Sequence, residues 1–79
     1  MMDRDLARIV IGSAFRASRE LTELVPLLKE HDDQSEDLRL GLASAIAEIG
    51  QAVLNPLFEA FPDMEAETDN LIERYGRAI

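Results

Sequence analysis

Between Ser35 and Ala60 the chain is apolar around most of a helical circumference, and that run limits what the rest can build. Leu38, Leu42, Ala45, Ile46, Ile49, Ala52, Val53, Leu57 and Ala60 recur at helical spacing and form one stripe. A second apolar set lies off that stripe: Leu40, Ala43, Ala47, Leu54, Phe58 and Phe61. What remains for water is a thin line, Ser44, Glu48, Gln51, Asn55 and Glu59. A helix apolar on most sides is either central in a core or in a membrane. Glu48, with Gln51, Asn55 and Pro56 close by, argues against a membrane span, since a central acid costs about 2.5–3.5 kcal/mol on insertion scales.

The chain has 79 residues, enough for one domain, residues 1–79. A domain of this size buries only about 60% of its unfolded surface. Two other helices cannot readily wrap a third that is apolar all round. The second stripe is therefore expected to be a protein–protein surface, and a two-fold homodimer is its commonest closed solution.

The rest of the chain is also helical. A first helix starts after Asp3, a good N-cap, and carries the seam Ala7, Val10, Ala14, Ala17, Leu21, Leu24 and Leu28. Pro26 lies inside it and predicts a kink, or else a break into two helices. His31 to Gln34 reads as a polar connection. The second helix begins at Ser35 or Asp33, with Ser35 able to cap the free amides, and Pro56 predicts a second kink. A third, shorter helix follows Phe61-Pro62-Asp63, with Asp63 as a candidate cap and the seam Met64, Thr68, Leu71, Tyr75 and Ala78. The expected fold is an all-α bundle of three helices, assembled as a homodimer.

Charge excludes some functions. The net charge is −8, yet residues 1–19 carry +2 and residues 20–73 carry −12. Such a chain lacks the basic footprint of a general nucleic-acid binder. There is no cysteine, which removes disulfides and thiolate metal sites and suits a reducing cytoplasm. The charged start, Met1-Met2-Asp3-Arg4-Asp5, does not read as a secretory leader, so the cytoplasm is the expected location.

Catalytic candidates are few. His31 is the only histidine, and no second nitrogen ligand exists for a histidine-based metal site. No serine or threonine has an obvious base, and the four glycines are too scattered for a phosphate loop. No metal or cofactor is expected. The most suggestive polar feature is the first helix's arginine face, where Arg8, Arg16 and Arg19 lie beside Phe15; such a set can meet an anion or an acidic partner. It can equally pair with the chain's own acids.

The sequence thus favours a non-enzymatic interaction or regulatory module, self-associating through Leu40, Ala43, Ala47, Leu54, Phe58 and Phe61. Two rivals stand beside it. In size, acidity and helicity, with Ser35 after Asp32-Asp33-Gln34 at the start of its second helix, the chain is similar to acyl carrier proteins. That resemblance implies a carrier modified on Ser35. Gln34-Ser35-Glu36 stands where the family has Asp-Ser-Leu, and the family's long loop before that helix is missing. The other rival is a small helical enzyme working through Glu48, Gln51 and Asn55.

Overall fold

The computed structural model describes residues 2–32 and 34–77. These are helical almost throughout, with no strand among them. Helix α1 runs Arg4–His31, α2 Glu36–Glu48, a π-helical segment Ile49–Leu54, α3 Asn55–Ala60 and α4 Pro62–Tyr75. The α2, π and α3 pieces form one continuous 25-residue helical run, Glu36–Ala60. The architecture is therefore three packed helices of 28, 25 and 14 residues, the all-α arrangement that the spacing predicts.

Each boundary has a local cause. Asp3 caps α1 as expected, accepting the Leu6 amide at 2.8 Å. Pro26 does not break α1, which is helical from end to end. Two capping expectations fail. Ser35 holds the N-cap position of α2 but makes no cap bond; its hydroxyl turns back and donates to the Asp32 carbonyl at 2.7 Å. The α4 N-cap position belongs to Phe61, and Asp63 sits inside the first turn, facing Arg4 instead. Asp33, the other expected cap of the second helix, and Ala78, the last residue of the expected α4 seam, lie outside the described residues. Gly76 ends α4 with a left-handed φ of 73°, the one conformation among the described residues that calls for glycine.

The π segment decides which residues reach the core. In a regular helix the ring of Pro56 would strike the carbonyl of Ala52. The backbone widens just before it, and the Asn55 amide reaches back five residues to Gly50. A π turn takes in an extra residue, which rotates everything after it by about 100° relative to an unbroken helix. Ahead of the turn, Leu42 and Ile46 face α1 and are half-buried. Beyond it the inward set shifts to Leu54, which is 9% exposed, with Phe58 and Phe61. Ala60, which an unbroken helix would place on the inward stripe, is exposed.

The core gathers at one end of the molecule. Ala7, Ile11 and Ala14 of α1 meet Leu54 and Met64, with Phe15, Ile49, Val53, Leu57, Phe58 and Phe61 packed around them. The rings of Phe15 and Phe58 lie 6.5 Å apart at 46°. Helix α4 starts beside Arg4 and ends beside Thr22, so it runs alongside only the first two thirds of α1. Beyond that point α1 and α2 continue as a bare two-helix hairpin. The Cα trace spans 43 × 27 × 15 Å, a thickness of two helix layers. Its radius of gyration is 14.4 Å, against about 12 Å for a compact domain of this length.

Candidate interaction surface

The two apolar stripes of the Glu36–Ala60 run have different fates from those expected. Leu54, Phe58 and Phe61, assigned to a partner from the sequence, are covered by the chain's own α1 and α4. The reason is the π turn, which rotates them onto the inward side. Leu40, Ala43 and Ala47, ahead of the turn, stay exposed, Leu40 at 61%. The expected stripe is thus split and does not form one surface.

The larger uncovered apolar face lies elsewhere. The buried line Ala7, Ile11 and Ala14 has two flanks on α1. Arg8, Gly12 and Phe15 lie on the flank that meets α4. Helical geometry puts Leu6, Ala17 and Leu24 on the other flank, and all three are exposed. In an antiparallel hairpin the same side of the second helix carries Leu38, Gly41, Ala45 and Ala52, again all exposed. Leu24 and Leu38 are 41% and 58% exposed. Half-buried Leu21 and Leu28 form the floor between the helices. By this geometry the side of the hairpin away from α4 carries a long run of exposed apolar side chains between the two helices, rich in leucine toward the Asp32 end and in alanine toward the core.

This Glu36–Ala60 run also has the length and composition of a membrane-crossing helix, and only 6% of its most apolar stretch is buried within the chain.

Electrostatics hold α4 in place. Arg4 reaches both carboxylate oxygens of Asp63 with its two terminal nitrogens and stands 5.9 Å from the Phe61 ring centre. That hydrogen bond, reinforced by charge attraction, lowers the Asp63 carboxyl below its ordinary range and raises the Arg4 guanidinium. One turn on, Arg8 donates to Glu67 at 3.3 Å and lies 3.8 Å from Asp5. Arg8 is therefore tied to the chain's own acids. Arg16 and Arg19, its companions in the sequence reading, lie instead with Phe15 around a separate cleft that Arg77 also lines. Nothing local in the sequence links Arg77 to residues some sixty positions earlier.

The residues of the rival readings sit as follows. Ser35 is 5% exposed, and its Oγ faces the carbonyls of Asp32 and Leu28 rather than solvent. Ser44, Glu48, Gln51, Asn55 and Glu59 are all exposed along the outside of the helix. His31 is exposed at the end of α1, and no three His, Asp or Glu side chains are grouped for a metal among the described residues. No family model, curated protein or solved structure matches this chain.

Proposed function

We propose that this chain is a non-enzymatic helical interaction module that self-associates, two copies closing their open hairpin grooves on each other about a two-fold axis. One observation carries the reading. The chain exposes 5728 Å², whereas a folded monomer of its 8.8 kDa mass exposes about 4,800 Å² by the usual size scaling. The surplus, about 900 Å², is close to the roughly 800 Å² that each partner contributes to a standard interface.

The groove is also self-complementary. An antiparallel two-fold laid along it brings Leu24 and Leu38 of one copy over Ala17, Ala45 and Ala52 of the other, large side chains onto small ones. The product is a four-helix bundle in its middle, with an α4 at each end. A second copy suits this groove better than lipid does, because Glu48 projects from the middle of the helix.

Sedimentation equilibrium at micromolar to high-micromolar concentration tests the reading. The expected result is a dimer that Leu24→Glu combined with Leu38→Glu converts to a folded monomer. The proposal fails if the wild-type chain stays monomeric throughout, or if it partitions onto lipid vesicles instead. A dimer indifferent to both substitutions would move the interface off the groove.

A further inference from the structure

The arginine cleft at the far end of α4 is built differently from the rest of the α1–α4 seam, and it does not depend on the self-association reading. Along that seam each arginine of α1 meets an acid of α4: Arg4 with Asp63, then Arg8 with Glu67. The alternation then stops. At the level of Arg16 and Arg19, α4 presents Ile72 and Gly76, and beyond its end a third cation, Arg77. Gly76 makes this convergence by turning the chain through its left-handed φ of 73°. No ion pair engages Arg16, Arg19 or Arg77 among the described residues. Among the described residues Arg16 donates to the Ser13 hydroxyl alone, at 3.1 Å.

Arg16, Arg19 and Arg77 line a cleft of about 240 Å³ together with Phe15 and Ile72. Among the described residues no carboxylate lines it; Glu20 and Glu23 stand outside, around a neighbouring depression shared with Arg19 and Arg77. Ser18 adds a hydroxyl to the wall, while that of Thr22 is committed to the Ser18 carbonyl at 2.7 Å. Three cations drawn together in a chain of net charge −8 repel one another unless an anion joins them. Guanidinium forks match the oxygens of phosphate and carboxylate. The cleft falls below the roughly 300–1,000 Å³ of drug-sized pockets, which limits the ligand's size.

We infer that this cleft binds a small amphiphilic anion, a phosphate or carboxylate head held by Arg16, Arg19 and Arg77 with a short apolar body laid on Phe15 and Ile72. The head can belong to a soluble metabolite or to a lipid, and the chemistry of recognition is the same.

Titration of the full chain with hexyl phosphate, followed by amide NMR shifts, tests the site, with inorganic phosphate and hexanol as separate arms. Saturable shifts are expected at Phe15–Thr22 and Ile72–Arg77. Head or body alone should bind at least about tenfold more weakly, a difference of about 1.4 kcal/mol. Arg19→Gln with Arg77→Gln should weaken hexyl phosphate by about tenfold or more while helical circular dichroism is unchanged. Protection of the same residues by phosphatidylglycerol vesicles would assign the head to a lipid, and hexyl phosphate binding without it to a soluble anion; both support the cleft. The inference is overturned if hexyl phosphate fails to saturate, if its shifts map to the leucine groove, or if the double variant binds as well as the wild type.

Discussion

Asp63 works through a partner that its own neighbourhood in the sequence does not reveal. It reads as a helix cap, since an acid just after a proline at a helix start usually is one. In the fold it takes a paired hydrogen bond from Arg4, 59 positions away. Its folded pKa lies below its unfolded one, because the Arg4 hydrogen bond favours the charged form. The pair's contribution to stability is therefore fully present above the ordinary carboxylate pKa and is lost as pH falls through the depressed value. Urea midpoints should fall over that acidic window, and Asp63→Asn should flatten that part of the profile while lowering the neutral-pH midpoint slightly. A wild-type profile identical to that of Asp63→Asn would remove the pair from the account of stability. Ala7, Ala14 and Met64, by contrast, were legible as core, because burial follows the three–four spacing along a single helix. Ser35 was legible as a boundary residue but not as a buried donor. Its choice between capping α2 and closing α1 depends on how the two helices meet.

At the scale of the element, the π segment is the part the sequence conceals. Pro56 announces a disturbance, and a kink is its ordinary reading. Whether the helix bends or takes in an extra residue depends on which apolar set must face inward after it. That is settled by α4, which packs on Leu54, Phe58 and Phe61. Two stripes on one helix were visible from spacing; that Leu54, Phe58 and Phe61 of the second join Leu57 of the first at the core beyond the turn was not. A sharp expectation follows. Removing Gln51, an exposed residue inside the π segment, together with Pro56→Ala, which lifts the clash with the Ala52 carbonyl, lets the turn close to a plain α-helix while Leu54 keeps its register with Leu42 and Ile46. That deletion should leave the thermal midpoint within a few degrees of wild type. Removing exposed Ala66 from α4 has no such slack, since it swings Thr68 and Leu71 about 100° away from Met64. It should cost several times more. Equal losses from the two deletions, by calorimetry, would deny the π turn this role.

For the whole molecule, three helices and an all-α fold followed from sequence, and so did the surplus of apolar surface. The location of that surplus did not. The sequence put the uncovered side on Leu40 through Phe61, because nothing in it says that α4 comes to rest on that flank. With α4 placed, the opposite flank from Ala17 to Leu24 and from Leu38 to Ala52 remains open, beside Leu40, Ala43 and Ala47. The proposed dimer therefore couples stability to concentration. The thermal midpoint should climb as the chain is concentrated, as mass action requires of any partner that binds only the folded state, and the Leu24→Glu, Leu38→Glu double variant should lose that dependence.

The core's position at one end has a consequence in time as well as in space. A hairpin held by buried side chains at its root and by little beyond the reach of α4 opens from the tip inward. Amide hydrogens between Leu21 and Ile46 should then exchange with solvent far faster than those of Ala7 to Ala14 in a dilute sample. Raising the concentration should slow the tip and leave the root unchanged. The rate at which the tip's protons are traded for deuterium thus becomes a clock for the proposed encounter of two copies, and it should run fastest in a chain that is alone.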